Sequence, residues 1–218
     1  ADDYRVYFDV FIRNTKLKSS IKKKQAHVKV TNWNCNNKNP EGEIIEVLGD
    51  INDLDVAINS ILIDGGFANK FNSKIEKAAA GISKKIKSSE IKSRLDLRRT
   101  PTFTIDPNDA KDFDDALSIE QISEDEWEIG IHIADVSHYV KEGTVLNDEA
   151  YERATSVYLV DRVVPMLPEK LSNKVCSLRP HEEKLCFSAV FKMNCKAEVL
   201  GKWFGRTVIY SDHRFTYE

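Results

Sequence analysis

The feature that most constrains the fold is a cluster of carboxylates directly after a short apolar run. Five aspartates fall within ten consecutive positions: Asp106, Asp109, Asp112, Asp114 and Asp115. If four of these side chains converge, each close pair costs roughly 4 kcal/mol at a separation of about 4 Å and an effective dielectric constant of about 20. A fold that brings them together therefore needs cations, and oxygen ligands without nearby His or Cys favour Mg²⁺ or Mn²⁺.

The residues alone leave two interpretations of this acidic segment open. A solvated acidic loop is the simpler of the two. Phe113 and Ala116 lie between the carboxylates, however, and these apolar side chains indicate a packed segment. A calcium-binding EF-hand loop is excluded, because no register places Asp or Asn at positions 1, 3 and 5 with Gly at 6 and Glu at 12.

The first fifty residues predict a small, basic β-structure. Alternation indicates strands over 4–12, 27–33 and 43–48. Three strands are fewer than the five of an OB or cold-shock barrel, so either the barrel is partial or the pattern misses some of its strands.

Cations and aromatic side chains share one face of the first predicted strand, as on surfaces that bind single-stranded nucleic acid. A half-exposed strand with ordinary surface charge explains the pattern equally well. The candidate nucleic-acid-binding residues in this strand and in the basic segment that follows it are Arg5, Arg13, Lys22, Lys23 and Lys24.

After residue 52 the pattern becomes helical. Asp53 is a good N-cap, and the pair Gly65-Gly66 predicts the end of this helix. Residues 67–99 are rich in Lys and Ser and predict a helical linker with a solvated face.

From residue 100 the chain becomes acidic and mixed α/β. Strands are predicted over 102–105, 116–121, 126–136, 185–193 and 203–210, with a helix over 146–154. In the third of these strands, alternation places Trp127, Ile129, Ile131 and Ile133 on the buried face. The predicted fold class is therefore α+β: a partial barrel, a helical linker and a mixed α/β domain.

Charge and cysteine content limit the functional class further. Residues 1–100 contain 19 Lys and Arg against 13 Asp and Glu, whereas the rest contains 13 against 22. A basic half beside an acidic half fits a polyanion-binding module next to a cation-dependent site, although two solvated faces of unequal sign fit as well. With no C-x-x-C pair, signal peptide or apolar run long enough to span a membrane, we expect a cytoplasmic protein whose cysteines are reduced core residues.

Three ordered blocks of sequence resemble one enzyme family. TIDPNDAKDFDDALS (104–118), IHIADVSHYV (131–140) and RATSVYLVDRVVPMLPEKLSNKVCSLRP (153–180) closely resemble the ribonuclease II/ribonuclease R (RNB-domain) exoribonucleases. EIIEVLGD (43–50) resembles the end of a cold-shock barrel in that family. The match is densest over 100–180.

The resemblance implies a hydrolytic, processive 3′→5′ exoribonuclease that releases nucleoside 5′-monophosphates from single-stranded or structured RNA. The four aspartates that match the family motif, and so would hold Mg²⁺ or Mn²⁺ and position the attacking water, are Asp106, Asp112, Asp114 and Asp115. Asp109 lies at a position that the motif leaves free. Tyr158 matches an aromatic residue that stacks on a base near the RNA 3′ end.

The resemblance also implies a domain order, which we place at 1–66 (partial second cold-shock domain), 67–99 (linker) and 100–218 (N-terminal portion of the RNB domain). The family's catalytic domain is far longer, so we expect a fragment with little activity of its own. The expected partners are single-stranded RNA and, for the parent protein, an RNA-decay machinery, with neither DNA nor a membrane. An RNA-binding protein with a degenerate nuclease domain is the alternative.

Overall fold

The computed structural model describes residues 6, 8–13, 23–33 and 39–217. The chain divides into two compact units, Ala1–Lys70 and Phe71–Glu218. The mixed α+β class predicted from the sequence is confirmed.

The described part of the first unit is an open three-stranded sheet with one helix. The sheet has the order β1-β3-β2, in which β1 runs parallel and β2 antiparallel to β3. Within the described residues, the strand predicted over 4–12 is limited to β1. The elements of this unit are β1 (Phe11–Ile12), β2 (Lys24–Asn32), β3 (Glu41–Asp50) and α1 (Leu54–Asp64).

Helix α1 begins and ends where the sequence predicts. The Asp53 side chain accepts a hydrogen bond from the backbone N–H of Asp55 at 2.9 Å, so one otherwise unpaired donor of the first turn is satisfied. The helix stops before Gly65, and Gly66 adopts a left-handed conformation with φ of 79°, which favours glycine.

The second unit contains a seven-stranded sheet of order β12-β5-β6-β7-β10-β11-β4 and a separate hairpin formed by β8 and β9. Each of the five strands predicted for this part of the chain is present. Its elements are α2 (Ser73–Gly81), α3 (Ser88–Lys92), β4 (Leu95–Leu97), β5 (Thr102–Asp106), β6 (Asp115–Gln121), β7 (Glu126–Ala134), α4 (Val136–Tyr139), α5 (Val145–Arg153), β8 (Val157–Tyr158), β9 (Val163–Val164), a π-helical turn (Leu171–Val175), β10 (Glu183–Asn194), β11 (Val199–Tyr210) and β12 (His213–Thr216).

One face of this sheet is covered, and that face forms the core of the second unit. Helix α2 falls within the predicted linker, yet Ile75 and Ala79 on this helix are buried in the core. The segment from Leu171 to Leu178 packs into the same core, in which both of these leucines are fully buried. Helix α2 is therefore amphipathic, with Ile75 and Ala79 in the core and its Lys74, Glu76 and Lys77 side chains exposed.

The prediction for the buried face of β7 is wrong. Gly130, His132 and Ala134 are buried, whereas Ile131 and Ile133 are 40% and 50% exposed. The covering elements pack on the face where a glycine and an alanine allow close approach. The buried His132 imidazole is hydrogen-bonded on that face, because its two ring nitrogens lie 2.7 Å and 2.9 Å from the hydroxyls of Ser188 on β10 and Ser118 on β6.

The opposite face of the sheet carries large apolar side chains in contact with solvent. Phe187 pairs across the strands with Ile133, and Phe204 pairs with Ala189, the cross-strand partner of Ile131. Phe187 and Phe204 are 52% and 56% exposed.

Two further sequence expectations concern the cysteines and the membrane. Cys176 and Cys186 are buried as expected, but Cys195 is exposed. Within the described ranges, no helix is both long enough and apolar enough to cross a membrane.

Candidate functional site: a carboxylate loop at the end of the sheet

The candidate site is the connection between two neighbouring antiparallel strands. Asp106 is the last residue of β5 and Asp115 is the first of β6, so residues 107–114 form a loop at one end of this strand pair. Asp112 and Asp114 lie within that loop, which we call the carboxylate loop. All four predicted aspartates are thus brought to one end of the sheet.

The carboxylate loop is anchored to the core by its own backbone. Phe113, which lies between two of the aspartates, is 5% exposed. Its backbone N–H donates to Ser177 Oγ at 3.0 Å, and its carbonyl accepts from the backbone N–H of Leu178 at 2.8 Å. The Asp114 carbonyl accepts from the N–H of Ala134 on β7 at 3.0 Å. The acidic segment is therefore packed, as the apolar residues within it indicate.

Arg214 anchors the first part of the same loop. This residue lies on β12, which pairs in parallel with β5. Its Nη2 donates to the carbonyl oxygens of Pro107 and Asn108 at 3.0 Å and 2.7 Å, and its guanidinium carbon lies 4.9 Å from the centroid of the Phe113 ring. The sequence pattern carried no signal for this residue, which lies about a hundred positions from its partners.

The carboxylates influence one another's ionisation. Loss of hydration raises the pKa of Asp114, and the negative charges of Asp112, Asp115 and Asp106 raise it further. This occurs although the Asp114 residue itself stays open to solvent. Desolvation also raises the pKa of Asp106, and two of the other carboxylates add to that rise. The protein therefore holds these acids at a cost that a bound cation would relieve.

The chemistry of these side chains fits a hard divalent cation. Asp106 Oδ2 is buried and has no hydrogen-bond partner among the residues that the structure describes, so its lone pairs are available. The surrounding donors are carboxylate oxygens, which Mg²⁺ and Mn²⁺ prefer. In the described part of the chain, no three His, Cys, Asp or Glu side chains are arranged so that they would hold a metal ion as they stand. Binding would therefore require the carboxylates to turn towards a common point.

Tyr158 lies beside the carboxylate loop. It ends β8 in the short hairpin with β9, its ring is largely exposed, and its hydroxyl donates to Asp112 Oδ2 at 2.8 Å. This hydrogen bond raises the pKa of Tyr158 to about 12. An open cavity of about 760 Å³ lies between the loop and the hairpin. Its lining includes Asp106, Asp112, Tyr158, Arg162 and Asn173.

The predicted basic residues belong to the other unit. Arg13 is 80% exposed at its side chain and lies 3.3 Å from Glu41 Oε1, while Lys24 begins β2 directly after Lys23. Arg5 and Lys22 lie outside the described residues. In the same unit, the Phe8 and Trp33 rings pack edge to face with their centroids 4.8 Å apart, and Trp33 is 58% exposed.

The fold and the carboxylate loop together define an α+β domain with an acidic loop at one end of its sheet, and comparison with known proteins identifies the family. The RNB domain profile matches residues 94–218, and a cold shock domain profile matches residues 1–72. The chain belongs to the RNB-domain family, as the sequence resemblance implies.

Known relatives match nearly the whole chain but extend well beyond it. Ribonuclease R of Thermotoga maritima is 35% identical over 219 residues, a match that covers 100% of this chain and 31% of that protein. Ribonuclease R 2 of Lactococcus lactis is 40% identical over 190 residues, covering 87% and 29%. The chain thus spans about a third of the length of these relatives.

Solved structures share the fold. The structure of Mycoplasma genitalium RNase R in complex with double-stranded RNA superposes with a TM-score of 0.88 at 26% identity, over 98% of this chain and 38% of that one. Yeast Ssd1, a pseudonuclease, shares the fold with a TM-score of 0.70 at 22% identity, over 89% of this chain and 25% of that one.

Proposed function

We propose that this chain is part of a hydrolytic, processive 3′→5′ exoribonuclease that depends on Mg²⁺ or Mn²⁺ and releases nucleoside 5′-monophosphates. The observation that carries the proposal is the carboxylate loop, which places four aspartates at one end of the sheet on a backbone anchored from several sides. Mutually repelling acids on a fixed backbone, one with an unpaired buried oxygen, are suited to divalent cations.

In this proposal Asp106, Asp112, Asp114 and Asp115 would hold the cation. When bound, the cation supplies a Lewis acid for the scissile phosphate and a means of activating water. The anchored loop fixes where the carboxylates stand, which matters because a misplacement of about 1 Å can cost on the order of a hundredfold in rate.

The RNA 3′ end would enter the cavity between the carboxylate loop and the β8–β9 hairpin. The exposed Tyr158 ring is available to stack on a terminal base, a contact that tolerates any base and is worth about 1–3 kcal/mol. Lys111 and Arg162 line the same cavity and can contact phosphates. Single-stranded RNA is the proposed substrate, contacts to the 2′-hydroxyl would exclude DNA, and the enzyme would act in the cytoplasm with other RNA-decay proteins.

An RNA-binding protein with an inactive nuclease domain is the second candidate. The observation that favours it is that the described carboxylates are not arranged to hold a cation as they stand. The two functions differ in one measurable property, because only the nuclease needs cation binding by the carboxylate loop.

The test combines cation binding with RNA degradation. Isothermal titration with Mn²⁺ on the 218-residue chain is expected to detect a site that the Asp106→Asn/Asp115→Asn double variant loses. In the longer protein that would contain this chain, 5′-labelled RNA and Mg²⁺ should give stepwise shortening from the 3′ end, while single-stranded DNA stays intact. Equal RNA affinity without degradation, together with equal Mn²⁺ binding by both forms, would favour the binding protein.

A further inference from the structure

A fully buried serine contacts the carboxylate loop on both sides of Asp112. Ser177 is 0% exposed, and its hydroxyl donates to the backbone carbonyl of Lys111 at 2.9 Å. The same oxygen accepts from the N–H of Phe113 at 3.0 Å. One hydroxyl therefore bridges the residues that directly precede and follow a predicted cation ligand.

The segment that contains Ser177 is packed into the core on both sides of this residue. The π-helical turn that precedes it buries Leu171 and Val175 in the core, and Leu178, which follows it, is fully buried. Leu178 also donates its backbone N–H to the Phe113 carbonyl at 2.8 Å. Both backbone polar groups of Phe113 are thus fixed by two consecutive residues of a packed segment.

We infer that Ser177 is a positioning residue for the cation site, which sets the spacing of the Asp112 and Asp114 carboxylates through the backbone between them. This inference rests on the proposed function. The hydroxyl touches neither carboxylate in this arrangement, so it acts only through the loop. Without it, the buried N–H of Phe113 and the part-buried carbonyl of Lys111 lose their partner, and the loop is expected to adopt several conformations rather than one.

The test compares two buried serines that each make two hydrogen bonds. Ser177→Ala removes the bridge between Lys111 and Phe113. Ser188→Ala is the matched control: Ser188 is 1% exposed on β10, and its hydroxyl bonds to His132 Nδ1 at 2.7 Å and to Thr207 Oγ1 at 2.6 Å. Both variants are expected to lower the free energy of unfolding by a similar amount.

Only Ser177→Ala should change the cation site. We expect its Mn²⁺ affinity to fall at least about tenfold, with a broadened electron paramagnetic resonance spectrum of bound Mn²⁺, while Ser188→Ala stays within about twofold of the unchanged chain. Ser177→Cys keeps a weak donor and a weak acceptor on a somewhat larger side chain, so it should recover part of the affinity if the alanine variant folds poorly.

The possible results separate this inference from the proposed function. Equal Mn²⁺ affinity in the Ser177→Ala variant and the unchanged chain would overturn the inference alone. An equal loss of affinity in both alanine variants would also overturn it, because the effect would then follow general stability. If the unchanged chain binds no Mn²⁺, the proposed function fails, and this inference fails with it.

Discussion

Replacing Gly130 with alanine should strongly destabilise the second unit. A methyl group at this position in β7 would lie 2.3 Å from Ser118 Oγ and 2.6 Å from both Cε1 and Nε2 of His132. Neither neighbour has room to move, because His132 is fully buried and its two ring nitrogens bond to Ser118 and Ser188. β7 itself is paired on both sides, with β6 and with β10, so its backbone is equally constrained.

The cost of this change has two parts. Overpacking of a core costs about 1–3 kcal/mol, and a buried polar group that loses its partner costs about 1–3 kcal/mol more. The free energy of unfolding should therefore fall by about 2–6 kcal/mol. Gly201→Ala, in β11 of the same sheet, is the control: its nearest neighbour would be Lys192 Cβ at 3.8 Å, so a change below about 1 kcal/mol is expected.

Urea unfolding followed by tryptophan fluorescence measures both variants. In a Trp33→Phe background the remaining tryptophans, Trp127 and Trp203, both lie in the second unit and report its unfolding. With an m-value of about 2 kcal/mol/M, Gly130→Ala should lower the midpoint by at least about 1 M. Equal midpoints for the two alanine variants would refute the close packing of β7 against Ser118 and His132 as the reason for a glycine at this position.

Three further predictions concern the candidate site. Asp114→Asn in the longer protein should abolish RNA hydrolysis while RNA affinity stays nearly constant, and a variant that keeps more than about a tenth of the original rate, equivalent to less than about 1.4 kcal/mol of barrier, would contradict this role. In the 218-residue chain without divalent cations, Asp114→Asn should raise the melting temperature at pH 7, and Asp109→Asn in the same loop is the control. The reason is that an acid whose folded pKa lies above its unfolded value lowers the stability of the fold as the pH rises through that range. Tyr158→Ala in the longer protein should alter the length of the final product on a denaturing gel more than the rate, whereas Tyr158→Phe, which keeps the ring but loses the bond to Asp112, should leave that length unchanged.

Local signals in the sequence were sufficient to locate most regular elements of the fold. Helix α1 is an example, because the residues that begin and end it, Asp53 and Gly65, lie directly next to it in the sequence. The buried face of β7 could not be predicted in the same way. Apolar alternation selected Ile131 and Ile133, but burial is decided by which elements pack on the sheet, and these pack over Gly130 and His132.

The same difference between local and distant signals applies to the candidate site. The aspartates were recognisable because they lie close together in the sequence and match a family motif. The groups that hold their loop were not, because Ser177 is 66 residues from Lys111, and Arg214 is 107 residues from Pro107. Nothing in the spacing of a serine and an arginine indicates that they will meet a loop so distant in sequence.

The exposed apolar face of the seven-stranded sheet affects how this chain should behave in solution. Ile131, Ile133, Phe187 and Phe204 present large hydrophobic surfaces to water on adjacent strands. Sulfate and similar ions strengthen apolar contacts, whereas added salt of any kind weakens protein contacts with phosphates. Ammonium sulfate should therefore promote association through this face while it releases RNA, so the two behaviours can be separated by the choice of salt.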